Sequence, residues 1–321
     1  MAGIDFRGVH LFTVTPVDGS GAIAPDLLGP HLDRAIDAGV RSVTVFGSTG
    51  GIGSFDEGER KRIAEAAVRF VDGRVPVIVG TGAMTTAGAI RLSVHARRAG
   101  ADAVLVVPTT YWPLTESELL DHYRAIAEAA ALPLVLYNNP RTTGVDMPPA
   151  LLARLCEIPA VVAVKESAPD VSRIADLNRL TGGRVAVLTG RDPQALDALL
   201  VGGSGWFSGG ANYMPALCVQ IYEHFAAGRV DEARRLVDSI HPLTAFTIAK
   251  GGIRCAHAAL ELQGRSMGPP RLPLQLPGPD DRERLRVLMD AAGLLDDETG
   301  RPRKRVARAR GARGPVPGTA R

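Results

Sequence analysis

The chain has 321 residues, of which 45% are hydrophobic, and its formal net charge is +3 at pH 7. This length and apolar content allow a large buried core, which excludes a mostly disordered chain, and the small net charge argues against a nucleic-acid-binding surface. The three cysteines are widely spaced and form no CxxC motif, so neither a disulfide framework nor a structural zinc site is expected.

The first residues, "MAGIDFRGVHLF", lack the basic start, the apolar stretch and the cleavage site of a signal peptide. No apolar run in the sequence reaches the length of about 18 residues that a membrane-spanning helix requires. We therefore expect a cytoplasmic protein that has neither a membrane nor a nucleic acid as a partner.

Eight short apolar segments recur along the chain, and each is a candidate β-strand. They are continuously apolar instead of alternating with polar residues, which indicates burial on both faces, as in a parallel sheet covered by helices. In chain order, the candidate strands are residues 10–16, 41–47, 75–80, 101–108, 132–138, 160–166, 185–190 and 203–209.

Helix-start signals lie between these candidate strands. Ser54 with Glu57 has the spacing of a capping box. Thr115 with Glu118 has the same spacing, and Asp192, which precedes a proline, is a candidate N-cap residue. The sequence therefore alternates between strand and helix.

This alternation predicts an α/β fold, a (β/α)8 TIM barrel with a C-terminal helical extension. We assign residues 1–212 to the barrel core and residues 213–298 to a helical region that packs on it. Residues 299–321 are basic and rich in glycine and proline, which predicts a disordered tail. The rival fold is an open doubly wound sheet that binds a dinucleotide, but Asp56 and Thr85 occupy the positions where its fingerprint requires a third glycine.

The sixth candidate strand ends in Lys165, and chemistry in such barrels takes place at the C-terminal ends of the strands. Only four of the 37 basic residues are lysines, so a lysine at this position indicates that an amine is required. A lysine in an apolar site can lose its proton and form an imine with a carbonyl substrate, whereas an arginine cannot. The alternative is a structural ion pair between Lys165 and Glu166 or Asp192.

Four segments resemble, in their order and spacing, the motifs of the dihydrodipicolinate synthase and N-acetylneuraminate lyase family. They are "GSTGG" at 47–51, "YNNPRTTG" at 137–144, "VAVKES" at 162–167 and "LTGRD" at 188–192. The resemblance implies a (β/α)8 class I aldolase or a related lyase, whose small-molecule partners are a 2-oxo acid such as pyruvate and an aldehyde. It also implies that no metal and no other cofactor is needed, because the lysine forms a covalent imine with the substrate.

The same resemblance assigns roles to individual residues. It implies that Lys165 forms the imine, that Tyr137 transfers protons and that Ser48 belongs to the proton relay. The glycine-flanked turn that contains Ser48 is expected to bind the carboxylate of the 2-oxo acid through backbone amides and hydroxyls. The other residues expected to bind substrate are Thr49, Gly50, Thr110, Arg141, Thr142, Ser208 and Gly209.

Several positions depart from the lysine-pathway synthases of this family. Gly51 replaces a glutamate, and Thr110 replaces a tyrosine that reaches into the site of a neighbouring subunit. Thr142 replaces the arginine that binds the carboxylate of the aldehyde substrate, while Arg141 stands one place earlier. These substitutions predict that the imine chemistry is kept while the second substrate has changed.

Our main expectation is therefore a pyruvate-dependent lyase that cleaves, condenses or dehydrates a 2-keto-3-deoxy sugar acid or a similar compound. One alternative is 4-hydroxy-tetrahydrodipicolinate synthase, the lysine-biosynthesis enzyme that condenses pyruvate with L-aspartate 4-semialdehyde. An alternative of another class is a barrel that binds a 2-oxo acid without turning it over. The resemblance also implies a homo-oligomer, either a tetramer or a dimer.

Overall fold

A computed structural model describes residues 3–295 of the chain, and the predicted tail at 299–321 lies outside the described residues. Eight parallel strands form a closed barrel in which each strand pairs with its neighbours in chain order and the last strand pairs with the first. The strands are β1 (Gly8–Phe12), β2 (Ser42–Val45), β3 (Val77–Gly80), β4 (Ala103–Val106), β5 (Leu134–Asn138), β6 (Val161–Glu166), β7 (Ala186–Thr189) and β8 (Gly205–Ser208).

Helices follow the strands and cover the outside of the barrel. The first eight are α1 (Leu28–Asp37), α2 (Glu57–Val71), α3 (Thr86–Ala99), α4 (Glu116–Ala130), α5 (Pro140–Thr143), α6 (Pro149–Leu155), α7 (Ser172–Thr181) and α8 (Ala195–Leu200). The last four are α9 (Pro215–Ala226), α10 (Val230–Lys250), α11 (Gly252–Leu262) and α12 (Pro279–Ala291). The predicted (β/α)8 barrel with a C-terminal helical extension is confirmed.

The predicted boundary at residue 212 falls between β8 and α9. Helix α9 packs against β1 and α10, and α10 in turn contacts α11 and α12. None of the helices within residues 3–295 is long and apolar enough to cross a membrane.

The strands are shorter than the apolar segments that predicted them, and β1 is also shifted. It begins at Gly8 instead of residue 10, because Gly8 and Val9 pair with Gly205 and Trp206 of β8. This barrel closure pairs the first strand with the last one, which is far from it in the sequence, and so leaves no local signal. After β1, β2 and β4, the apolar residues Val14, Phe46 and Val107 continue into the loops at the C-terminal rim, where the candidate site lies.

Two of the predicted helix starts are wrong. Helix α2 is capped by Asp56, whose carboxylate accepts from the backbone N–H of Glu59 at 2.8 Å, and Ser54 lies in a preceding 3₁₀ turn. Gly51 adopts φ 63, a left-handed conformation that favours glycine, and the turn that follows it delays the helix by two residues. Asp192 does not cap a helix with its side chain, whereas the predicted capping box at Thr115 and Glu118 is confirmed.

The core has two layers. An outer layer lies between the strands and the helices, and an inner layer fills the barrel with side chains that include Phe12, Ala163, Leu188 and Phe207. Because side chains alternate along a strand, Lys165 lies on the same side of β6 as Ala163. The barrel therefore directs the Lys165 side chain into its interior, at the C-terminal end.

Candidate active site

A cavity of about 620 Å³ opens at the C-terminal ends of the strands. Its walls come from the loops after β2, β5, β6, β7 and β8 and from the junction of α10 and α11. The residues selected from the sequence that line it are Ser48, Thr49, Tyr137, Arg141, Thr142, Lys165 and Gly209. The fold thus brings together side chains that are far apart in the sequence.

The Lys165 side chain lies at the base of this cavity and is 2% exposed. Its Nζ lies 3.1 Å from the centroid of the Phe12 ring and 4.0 Å from that of the Tyr137 ring. Burial lowers the pKa of Lys165 well below its usual value, and the negative charge of Asp192 opposes this shift. An amine in this environment has a much larger neutral, nucleophilic fraction near pH 7 than an exposed lysine.

The structural ion pair considered for Lys165 does not form with Glu166. The Glu166 carboxylate instead accepts from the side-chain amide of Asn138 at 2.9 Å, from the backbone N–H of Ala168 at 2.7 Å and from the guanidinium of Arg173 at 3.1 Å. Burial raises the pKa of Glu166, and these donors oppose the shift. Glu166 therefore holds the loop after β6 in place and does not line the cavity.

Asp192 lines the cavity, but its carboxylate accepts hydrogen bonds from β8 and the turn after it instead of pairing with Lys165. Its Oδ1 accepts from the indole N–H of Trp206 at 2.9 Å and from the Ser208 hydroxyl at 2.8 Å, and its Oδ2 accepts from the backbone N–H of Gly210 at 2.9 Å. Burial raises the pKa of Asp192, whereas these donors and Lys165 favour its anion. Within residues 3–295, neither Asp192 nor any other acidic side chain forms an ion pair with Lys165.

Tyr137 lies directly beside Lys165, because the two residues are register partners in β5 and β6. Its hydroxyl oxygen accepts from the Asn139 side-chain amide at 2.8 Å and lies 3.2 Å from the Ser48 hydroxyl. Burial raises the pKa of Tyr137, and its hydrogen-bond partners Ser48 and Asn139 oppose that shift. Tyr137 and Ser48 thus form a continuous hydroxyl chain above the lysine, which can move a proton.

The "GSTGG" turn places Ser48 and Thr49 on the cavity wall. Gly50 does not line the cavity: its carbonyl accepts from the Thr15 hydroxyl at 2.7 Å, and a side chain there would meet the backbone of Phe46. The close packing of Gly50 on the strand ends therefore shapes the turn that presents the two hydroxyls.

Two other selected residues also lie outside the cavity. Thr110 borders a separate depression on the α3–α4 side, and its hydroxyl donates to the carbonyl of Trp112 at 2.6 Å. Ser208 is fully buried and holds Asp192 in place. Within the described chain, Ser208 thus acts on the site through Asp192.

Many cavity residues were not selected from the sequence, and among them are Phe12, Asn139, Ser167 and Arg191. Each of them lies at the end of a strand or just after it, and that position is the sequence signal that could have found them. Ser167 is 5% exposed, and its hydroxyl makes no hydrogen bond of normal geometry among residues 3–295, but it lies close enough to Tyr137 to oppose the rise in the Tyr137 pKa. A methyl group at Gly190 would collide with the Ser167 hydroxyl and with Cε of Lys165, so Gly190 leaves the space that both side chains need.

Residues 5–292 match the family described as the dihydrodipicolinate synthetase family. The 4-hydroxy-tetrahydrodipicolinate synthase of Syntrophus aciditrophicus is 35% identical over 290 residues, which cover 90% of this chain and 99% of that protein. The dihydrodipicolinate synthase structure from Thermotoga maritima has a TM-score of 0.86 and 31% identity, covering 91% of this chain and 100% of that chain. YagE, a prophage protein of the dihydrodipicolinic acid synthase family from E. coli K12 solved in complex with pyruvate, has a TM-score of 0.86 and 28% identity, covering 90% of this chain and 99% of that chain.

Proposed function

Because the chain belongs to the dihydrodipicolinate synthetase family of class I aldolase-type lyases, we propose that it joins pyruvate to an aldehyde through an imine on Lys165. The proposal rests on one observation above all, the buried Lys165 amine that has no carboxylate partner within residues 3–295 and lies against the Tyr137 ring. Burying an amine in this way costs stability, which a chemical role explains.

In the first step, the neutral Lys165 amine attacks the C2 carbonyl of pyruvate to give a carbinolamine. The Tyr137 hydroxyl donates a proton to the departing hydroxyl group, water leaves, and a protonated imine remains. Tyr137 is then a phenolate, which accepts a hydrogen bond from the Ser48 hydroxyl at an oxygen–oxygen distance of 3.2 Å. The Ser48 and Thr49 turn binds the pyruvate carboxylate.

In the second step, the protonated imine withdraws electrons from C3, whose proton passes to the Tyr137 phenolate, and an enamine forms. The C3 carbon attacks the aldehyde carbon, a new carbon–carbon bond forms, and the aldehyde oxygen takes up the proton that Tyr137 holds. Water then hydrolyses the imine and frees the Lys165 amine; cleavage is the same sequence in reverse. We propose no cofactor beyond this imine, because it already serves as the electron sink.

For the second substrate, we propose L-aspartate 4-semialdehyde, as in 4-hydroxy-tetrahydrodipicolinate synthase. The names of the curated relatives favour this reaction over the keto-deoxy sugar acid that the sequence analysis preferred. The position of Arg141 on the cavity wall also supports it, because that guanidinium can bind the carboxylate of a semialdehyde. Arg141 therefore offers the function of the arginine that is absent at Thr142.

A lyase for 2-keto-3-deoxy sugar acids is the second candidate, and Thr142 favours it, since a hydroxyl in the cavity suits a polyhydroxylated substrate. Steady-state kinetics separate the two candidates. The kcat/KM for semialdehyde condensation should exceed the kcat/KM for cleavage of several keto-deoxy acids. The opposite order would favour the keto-deoxy acid lyase. Absence of turnover with all of these substrates would indicate a barrel that binds a 2-oxo acid without turning it over.

We also propose that the chain forms a homo-oligomer in the cytoplasm. Met84 borders the depression that contains Thr110 and is 58% exposed, and Tyr111 and Trp112, which follow Thr110 in the chain, are 78% and 72% exposed. A subunit interface would remove this apolar surface from water. The unpaired, buried state of all three cysteines supports a reducing compartment.

A further inference from the structure

Phe46, the first residue after β2, has a strained backbone conformation. Its φ is 58°, in the left-handed region that an aromatic residue rarely adopts, and its side chain is fully buried. Gly47 follows it, and then Ser48 and Thr49, which line the cavity. The conformation of Phe46 therefore sets the direction in which the chain leaves β2 and, with it, the position of the two hydroxyl groups.

Two glycines enclose the backbone of Phe46. A methyl group at Gly50 would lie 2.9 Å from the backbone nitrogen of Phe46 and 3.1 Å from its Cα. A methyl group at Gly80, the last residue of β3, would collide with the Phe46 carbonyl oxygen. Because the chain packs on both sides of Phe46, its left-handed conformation depends on where the end of β3 lies.

Arg60 of α2 joins the end of β3 to Phe46. Its Nη2 donates to the Gly80 carbonyl at 2.9 Å, and its Cζ lies 5.6 Å from the centroid of the Phe46 ring. The Phe46 ring also packs on the ring of Phe55, with a distance of 6.0 Å between the centroids. One planar guanidinium thus contacts both the ring of the strained residue and the strand end that packs on its carbonyl.

The burial of Arg60 is unfavourable. The side chain is 7% exposed, and its Nε has no hydrogen-bond partner within residues 3–295. Burial lowers the pKa of Arg60 to about 10, so the guanidinium is still charged at pH 7. Glu57, whose charge favours this cation, forms ion pairs with Lys61 at 2.8 Å and with Arg91 at 2.9 Å instead. An apolar side chain would stabilise the fold as well or better, so the buried charge indicates a role beyond folding.

We propose that Arg60 is a positioning residue, which holds Phe46 in its left-handed conformation and thereby places the following turn, residues 47–51, to bind the carboxylate of pyruvate. Arg60 does not line the cavity, so it acts without touching the substrate. It acts through the Phe46 ring and the Gly80 carbonyl. The inference rests on the proposed function, which assigns the pyruvate carboxylate to this turn.

The test compares pyruvate with acetone, because both ketones can form an imine with Lys165 and only pyruvate carries a carboxylate. The second-order rate of adduct formation is measured in the presence of cyanoborohydride, which reduces the imine. Arg60→Met should lower the rate for pyruvate relative to the rate for acetone by about 10- to 100-fold, because the displaced turn no longer binds the carboxylate. Arg60→Lys keeps the charge but loses the planar guanidinium, and should show a smaller loss.

Arg62→Met is the matched control, because Arg62 lies on the exposed side of the same helix. It should alter neither rate. Equal losses for pyruvate and acetone in Arg60→Met, or an unchanged ratio between the two rates, would show that Arg60 only stabilises the fold and would overturn the proposal. If Arg60→Met does not fold, the ratio in Arg60→Lys decides in the same way.

Hydrogen–deuterium exchange separates failure of this inference from failure of the proposed function. In the turn, the backbone N–H of Gly51 donates to the carbonyl of Ser48 at 3.1 Å. The backbone N–H of Ile52 donates to the carbonyl of Gly47 at 3.3 Å. Arg60→Met should speed the exchange of these two amides by about tenfold or more and leave the amides of β6 and β7 unchanged.

If the wild type forms no adduct with pyruvate, the proposed function fails, and the exchange rates still decide the role of Arg60. Faster exchange confined to the turn would support the positioning role. Exchange at the wild-type rate in the turn of Arg60→Met would contradict it.

Discussion

Lys165 and Tyr137 are register partners on adjacent strands, and the Lys165 Nζ lies 4.0 Å from the centroid of the Tyr137 ring. The phenol therefore lies beside the amine on which we propose that the carbinolamine forms, and Asn139 and Ser48 contact its hydroxyl. This arrangement assigns proton transfer to a group that burial keeps neutral, because burial raises the pKa of Tyr137.

Tyr137→Phe should consequently lower turnover by about 10²- to 10⁴-fold, since the proton donor and acceptor of the imine steps is lost while the ring remains. The measurement is the steady-state rate together with the melting temperature. Tyr123→Phe is the matched control: Tyr123 is equally buried, but its hydroxyl donates to the carbonyl of Val106, outside the cavity. If both variants lost activity to the same extent, the Tyr137 hydroxyl would have a structural role only.

The charge of Asp192 should set the pH dependence of imine formation. Reaction needs the neutral amine, so the rate rises with pH through the pKa of Lys165, and the negative charge of Asp192 raises that pKa. Removing the charge in Asp192→Asn should therefore move the acid limb of the pH–rate profile to lower pH. Asp197→Asn, on the exposed side of α8, should leave the profile in place.

The pH profile is measured as the rate of borohydride-trapped adduct against pH. A shift to higher pH in Asp192→Asn would mean that lost hydrogen bonds to Trp206 and Ser208 open the site to water. That result would contradict a direct effect of the Asp192 charge on the amine.

Gly190→Ala should block the site sterically. Its methyl group would collide with Cε of Lys165 and with the Ser167 hydroxyl, which displaces the reacting amine. A displacement on the order of 1 Å costs about 100-fold in rate, so imine formation should slow by that factor. Gly53→Ala is the control, because a methyl group there would have no neighbouring atom within 4 Å. A normal rate of pyruvate trapping in Gly190→Ala would show that the Lys165 side chain can react without the space beside Gly190.

Trp112→Ser should weaken subunit association, because the indole is 72% exposed in the single chain and would be buried only by a partner subunit. Sedimentation velocity should show a smaller species than the wild type at the same concentration. Leu272→Ser provides the control, since Leu272 is also 72% exposed but lies in the segment between α11 and α12. A wild-type sedimentation coefficient for Trp112→Ser would place the interface elsewhere or indicate a monomer.

The strand positions could be predicted because burial on both faces of a parallel barrel produces continuous apolar runs. Lys165 and Tyr137 could be selected because each ends such a run, and the strand ends of a barrel converge on one rim. The resemblance of four short motifs to one family then supplied the roles expected of these residues in the reaction. These features are local in sequence or follow from the fold class.

Other features depended on contacts between distant parts of the chain. The role of Asp192 is set by donors from β8, and nothing near Asp192 in the sequence indicates them. Arg191 and Arg141 line the same cavity because β5 and β7 both pair with β6, and the sequence around either arginine does not indicate the other. The start of α2 was misplaced for a local reason, because the left-handed Gly51 adds a turn that the capping-box spacing does not reveal.

The central claim is that Lys165 forms an imine with pyruvate, and borohydride trapping followed by peptide mass spectrometry tests it most directly. We predict one reduced pyruvyl group on the peptide that contains Lys165, none in Lys165→Ala, and an unchanged adduct in Lys61→Ala, because the partly buried Lys61 amine pairs with Glu57 away from the cavity. Labelling of Lys61 or Lys250 in place of Lys165, or no labelling of the wild type, would contradict the account.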